Sequence, residues 1–219
     1  SGLGILKSEE GFIEIKLPEA PEPLRIILTP YANEFRLKAF LGHEDSEEEL
    51  RRVLEQKWAE LAKKYCNSKG VNLLAAHLFM MKKGGMAPEE PEDEKPILHV
   101  GGAQAIYSEN IPEQMQYVAL GHLHRQHIVD QHPCPVVYSG SPLSYSFGEA
   151  NQEKFVIVVE ATVGKEVAIK RITLDKGKRL LRKKAEGMED AVAWLSAHQE
   201  AWVELTMVTE SFLTAEDRR

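Results

Sequence analysis

The feature that most constrains this chain is a six-residue run, Val71 to Ala76, that is nearly all apolar and directly follows a segment of helical periodicity. Six residues are too few for a buried helix, and an unbroken apolar run lacks the alternation of a strand with one wet face. It has the pattern of a strand buried on both sides of a sheet. The preceding segment agrees. Ser46 with Glu49 forms a capping box, and Leu50, Val53, Leu54, Trp58, Leu61 and Tyr65 recur at helical spacing until Gly70 supplies a stop, which predicts a helix over 46–68. Helix followed by buried strand points to an α/β layered domain.

Other strands follow from the same logic. Phe12 to Leu17 and Leu24 to Leu28, on either side of a Pro-rich turn, predict a β-hairpin. Ile97 to Val100, Tyr117 to Leu120 and Val136 to Tyr138 are short apolar runs ending at glycine or at Ser139-Gly140. Phe155 to Val159 and Val167 to Leu174, with Gly164 between them, predict a meander. Residues 80–96 lack periodicity and read as a mobile loop. After Gly177 comes a basic strand-like segment (Arg179 to Lys184), a helix from about Met188 to Gln199 and a strand from Trp202 to Val208. That β-α-β piece is too short to close a core, so the chain divides into a main domain over 1–176 and a partial α+β module over 177–219. No internal repeat is visible.

No apolar run approaches the ~20 residues of a membrane helix, which excludes a helical membrane protein. Cys66 and Cys134 are too few for a disulfide framework, and the first thirty residues carry no signal-peptide pattern. A cytoplasmic protein is the expectation. The net charge of −7 argues at first against a polyanionic partner. Ten acids, however, sit in two short runs around Glu44 to Glu49 and Glu89 to Glu94, and the remainder is about +3. Between Lys165 and Lys184, nine basic residues face only Glu166 and Asp175, a local +7. That run is either a solvated face or a phosphate-binding one.

Histidine is where the sequence departs from the ordinary. His77 directly follows one buried strand, and His122 and His124, in Gly121-His122-Leu123-His124, directly follow another. Ligands gather where the strands of a layered α/β protein end, and imidazole suits zinc, manganese or iron. A metal site forms there if carboxylates complete it; otherwise these are ordinary hydrogen-bonded histidines. A rival is a self-contained zinc site from His122, His124, His127 and Cys134, although its spacing is not a standard zinc motif. Ser139-Gly140-Ser141-Pro142 offers backbone amides and the Ser139 and Ser141 hydroxyls in a tight turn, either a phosphate cradle or a plain turn. No nucleophile elbow, Walker loop or dinucleotide fingerprint is present.

Taken in order, Ala76-His77-Leu78-Phe79, Val100-Gly101-Gly102-Ala103, Tyr117 to Arg125, Tyr138-Ser139-Gly140-Ser141-Pro142 and Ser146-Phe147-Gly148-Glu149-Ala150 resemble the second half of the SbcD family. These are bacterial exonuclease subunits, calcineurin-like metallophosphoesterases of the Mre type. The resemblance implies the second half of a metallophosphoesterase β-sandwich flanked by helices, followed by the start of a small α+β capping domain. It also implies a two-metal site, usually manganese (Mn2+), at which water attacks a DNA phosphodiester. By position His77 and His122 resemble ligands of one ion and His124 a ligand of the other. Arg125, Ser139, Ser141, Lys178 and Arg179 are the candidates for contacting phosphate. The implied partners are DNA and a coiled-coil ATPase of the SbcC type, in a heterotetramer built on a nuclease homodimer. The family's D-x-H, G-D-x-x-D and G-N-H-D motifs are not in this sequence, so the expectation is a fragment that by itself is inactive, or else a non-catalytic DNA-binding or interaction module.

Overall fold

The computed structural model describes residues 3–30, 47–85 and 106–209, and only the backbone of 47–50. The Ser46 capping box, the strand expected at Ile97 to Val100 with the glycines after it, and the acidic run at Glu89 to Glu94 lie outside the described residues. The architecture is mixed α/β: one large sheet, three two-stranded pairs and few helices.

Among the described residues the large sheet has seven strands. β1 (Gly4–Glu9), β2 (Phe12–Lys16) and β3 (Leu24–Thr29) form an antiparallel ribbon, and β3 then pairs in parallel with β4 (Val71–His77). β4 pairs in parallel with β7 (Tyr117–Gly121), and β7 with β9 (Val136–Tyr138); β8 (His127–Asp130) closes the far edge antiparallel to β9. Helix α1 (Glu47–Tyr65) makes the crossover between β3 and β4. Its Leu54, Trp58, Leu61 and Ala62 are buried in one core with Phe12, Ile27, Leu74, Val118 and Val136. The Trp58 indole N–H donates to the Thr29 hydroxyl at 2.8 Å, which satisfies the only polar atom that this side chain takes into the core.

The helix stops at Tyr65, earlier than the expected 68, where Asn67 turns its side chain to the residues that follow and to β3: its Oδ1 accepts from the Lys69 amide and from Arg25. In β4, Asn72, Leu74 and Ala76 are buried, whereas Val71, Leu73 and Ala75 are only half-buried. Among the described residues, then, one face of that strand is fully covered and the other partly. β1 and β8 were not expected. Each is an edge strand with a register shift, between Ile5 and Lys7 and between Ile128 and Asp130, and a bulge breaks the two-residue alternation by which a strand is read.

The segment expected to be a loop from residue 80 in fact opens with a short strand, β5 (Met80–Met81), paired in parallel with β6 (Ile106–Tyr107). Asp130 braces this pair. Its carboxylate accepts from the buried Ser108 hydroxyl at 2.8 Å and from Lys82 at 3.1 Å. β10 (Lys154–Glu160) and β11 (Ala168–Leu174) form the expected hairpin, with Gly164 at φ 69° in its turn. Gln116, next to β7, donates to Thr162 O and Lys165 O at the hairpin tip, so β10 runs from one end of the sheet to the other. β12 (Leu180–Glu186), α2 (Met188–Ala197) and β13 (Trp202–Val208) make the β-α-β unit, the two strands pairing in parallel. No described helix is long and apolar enough to cross a membrane.

Candidate functional site

Parallel pairing of β4 with β7 sets His77 opposite Gly121 in register, so both strands deliver their histidine segments to the same end of the sheet. A side chain on residue 121 would lie 2.9 Å from His77 Nδ1; glycine is what allows the imidazole to fold over the neighbouring strand. The chain then turns sharply. His122 has φ 115°, a conformation that costs a non-glycine residue of order 1–3 kcal/mol and is found where surrounding structure holds a functional residue in place. The turn brings the His122 ring edge-on to that of His77, with centroids 5.5 Å apart.

Burial pushes the His77 imidazole below its ordinary pKa, with the charge of His124 adding to the effect. His122 is lowered by burial first and then by His77 and His124. The three rings therefore lie within electrostatic reach of one another. At neutral pH His77 and His122 are neutral, the form in which imidazole binds a metal.

His124 is held differently. Its Nδ1 lies 3.1 Å from Oε1 of Glu149, a fully buried carboxylate at the end of the 3-10 turn Phe147–Glu149. Burial alone would raise the Glu149 pKa, but hydrogen bonding and charge from Lys154, with the Tyr145 amide and the Ser141 hydroxyl, outweigh it and hold the group ionised. The Tyr145 ring stands 5.4 Å from that of His124.

The Ser139-Gly140-Ser141 turn wraps this histidine from behind. Gly140 has φ 77°, and a Cβ there would come 2.9 Å from His124 O. The Ser141 amide donates to the same carbonyl at 3.0 Å. Ser141 is buried, and its hydroxyl is engaged by Glu149 and Lys154, so it braces the loop from inside. Ser139 is half-buried, with its hydroxyl 3.3 Å from Gly140 O. Arg125, Lys178 and Arg179 are exposed. Lys178 and Arg179 follow Gly177, where a side chain would meet Leu143 at 2.9 Å, so the basic segment begins beside the loop after Ser141.

The rival zinc set is not assembled. Cys134 precedes β9, at the end of the sheet away from Gly121, where burial pushes its thiol up to about 12. His127 is exposed at the start of β8. It is the separation along the sheet that keeps Cys134 from joining His122 and His124 around one ion.

Two supporting residues were not singled out from the sequence as part of the site. Tyr138, fully buried, donates to Leu78 O at 2.7 Å and accepts from the Met80 amide at 2.6 Å, which ties β9 to the turn just after His77. Glu149 is the other. It is the single Asp, Glu, Lys or Arg between Asp130 and Glu153, a lone charge in an otherwise neutral stretch, and that signal could have marked it.

The donors suit a divalent ion of the manganese or zinc type in part. Two neutral imidazoles meet edge-on, and a third has Nδ1 directed to a carboxylate, the outer arrangement common behind metal-binding histidines. Among the described residues, no three His, Cys, Asp or Glu side chains stand close enough to hold an ion unaided. A complete shell needs further donors.

No family model matches the chain. It is 33% identical over 212 residues to the SbcD subunit of nuclease SbcCD from Bacillus subtilis strain 168, an alignment covering 94% of this chain and 52% of that protein. The SbcD subunit of Escherichia coli K12 is 28% identical over 123 residues, 53% of this chain and 30% of that one. That of Staphylococcus saprophyticus is 36% identical over 90 residues, covering 41% and 22%. The chain thus spans about half the length of the Bacillus relative. Among solved structures, a Staphylococcus aureus protein described as a 5'-nucleotidase superposes with a TM-score of 0.38 at 12% identity, over 75% of this chain and 29% of that one, too low to carry an argument.

Proposed function

The chain is SbcD-like along 94% of its length, and from that premise we propose that it supplies the three-histidine side of a metal-dependent phosphodiesterase site in a DNA nuclease subunit. The observation that carries the reading is the convergence of His77, His122 and His124 at one end of the sheet, two of them with centroids 5.5 Å apart and the third backed by a carboxylate. His77 and His122 would share one ion and His124 would meet a second through Nε2. Manganese ions, the expected metal, supply Lewis acidity toward a phosphodiester and an activated water.

The chain's own residues do the rest. Rigid paired strands fix the imidazoles, desolvation favours the neutral forms of His77 and His122, and Arg125, Ser139, Lys178 and Arg179 would hold DNA phosphates. Ser141 acts by bracing the loop. The proposed assembly is a metallophosphoesterase domain with a partial capping module after residue 176, working in the cytoplasm with an SbcC-type coiled-coil ATPase, as a nuclease homodimer within a heterotetramer. In the intact protein, His122→Ala is expected to remove nearly all Mn2+-dependent cleavage of linear duplex DNA. Unimpaired turnover would take His122 out of the metal site.

One observation favours a second reading, a DNA-binding or interaction module without catalysis: the described residues contain no three-donor cluster close enough for an ion. The purified 219-residue chain separates the two questions. By itself it is expected to cleave nothing, since three imidazoles do not hold two ions without a bridging carboxylate, and the described residues bring none to them. Robust cleavage abolished by His122→Ala would show a complete site in this chain.

A further inference from the structure

We propose that Glu149 is the positioning residue for His124, and that together with Lys154 it clamps both the ring and the backbone of that histidine so that Nε2 alone is presented to a divalent ion. The metal half of this proposal rests on the reading above; the clamp rests on geometry.

A carboxylate can only accept, so the 3.1 Å contact between Oε1 of Glu149 and Nδ1 of His124 places the proton on Nδ1. In the neutral ring, the lone pair is then on Nε2. The carboxylate itself is immobile. Oε1 also takes the Tyr145 amide at 3.3 Å, and Oε2 takes the Ser141 hydroxyl at 3.1 Å and the Lys154 ammonium. The same ammonium donates to His124 O at 3.2 Å and to Ser141 Oγ at 3.0 Å. One ion pair therefore grips His124 twice, the cation on its carbonyl and the anion on its ring.

Stability does not account for this arrangement. The Glu149 side chain is 0% exposed and that of Lys154 9% exposed, and a pair so buried is often matched or bettered in stability by apolar residues of the same volume. What apolar residues would not supply is a fixed tautomer on a ring that solvent still reaches: the His124 side chain is 39% exposed. Among the described residues, Glu149 is the carboxylate that this ring contacts.

The test is made on the intact protein, with 15N-labelled histidines and no added metal, alongside a Mn2+ titration read by electron paramagnetic resonance. The wild-type His124 is expected to show a protonated Nδ1 and a bare Nε2. In Glu149→Gln the tautomers mix and Mn2+ affinity falls about tenfold to a hundredfold, while the His77 and His122 ring signals hold. The single substitution leaves Lys154 without its counter-ion; if it fails to fold, Glu149→Gln with Lys154→Met removes both charges together and is read in the same way. Mixed tautomers in the wild type, or an unchanged His124 in a folded variant, would overturn the clamp. A wild type that keeps the Nδ1–H tautomer but takes up no Mn2+ would overturn the metal reading instead, and with it the purpose assigned to Nε2.

Discussion

β4 and β12 are both seven-residue strands, each in a parallel pair, and they could hardly do more different things. β4 is hydrogen-bonded on both sides, by β3 and β7, and buries Asn72, Leu74 and Ala76. Among the described residues β12 has one strand neighbour, β13, and it buries only Leu181 and Ala185, with Arg182 and Lys184 exposed between them. A strand held on both edges fixes whatever side chain ends it, and β4 ends in His77. A strand held on one edge with half of its side chains in water offers charge over an area rather than a group at a point. Under the function proposed above, the first would serve a metal site and the second a polyanion.

The sharpest way to break the comparison uses two tryptophans. Trp58 is 1% exposed beneath β3 and β4, and Trp202 is 60% exposed at the start of β13. Trp58→Ala is expected to cost about 3–5 kcal/mol, enough to consume much of a domain's stability. Trp202→Ala should stay within about 0.5 kcal/mol. Urea unfolding of both variants measures this. Equal losses would mean that the β-α-β unit is anchored as firmly as the central sheet.

A smaller effect sharpens the link between core and site. Tyr138→Phe removes one hydroxyl and takes the partner from two backbone groups, the half-buried Leu78 O and the buried Met80 amide, for about 1–3 kcal/mol. Because those groups sit in the turn after His77, Mn2+ binding should weaken along with the unfolding midpoint. A variant that loses stability yet binds Mn2+ like the wild type would show that His77 is placed by β4 alone.

How much of this was legible differs between the two regions for a physical reason. The parallel strands announce themselves as apolar runs, and the histidines stand at their ends, so β4, β7 and the histidine cluster could be read directly from the order of residues. The hairpin at Gly164 and the β-α-β order after Gly177 were equally plain, since turn glycines and periodicity are local signals. What stayed hidden were the edge strands β1 and β8, whose bulges break the alternation, and the burial of Glu149 and Lys154. The lone charge of Glu149 in a neutral stretch marks the residue but does not say that the loop will fold over it; the burial comes from contacts with His124 and Ser141, eight to thirty positions away. Ser141 illustrates the converse. Its place in a Ser-Gly-Ser-Pro turn suggests an outward hydroxyl, and packing turns it inward.

The smallest expected effect concerns the +7 stretch from Lys165 to Lys184, where the sequence favours a solvated face and leaves room for a phosphate-binding one. The structure divides its charges. Lys183 is paired with Asp190 at 2.9 Å and Arg182 with Glu204 at 2.7 Å, so both reach a phosphate only by giving up a carboxylate. Lys178 and Arg179 are exposed and begin beside the loop that carries Ser139. If this surface meets DNA, changing Lys178, Arg179, Lys183 and Lys184 to Gln in the intact protein weakens binding alike for all sequences. It also lowers the slope of log affinity against log salt by about 0.9 for each phosphate that is no longer neutralised. Restoring Lys178 and Arg179 alone should recover most of that slope, and restoring Lys183 alone rather little, because its charge is already spent on Asp190. Identical affinities and slopes in all of these variants would assign the stretch to solvent or to a protein partner, and β12 would then lose the role that its contrast with β4 suggests.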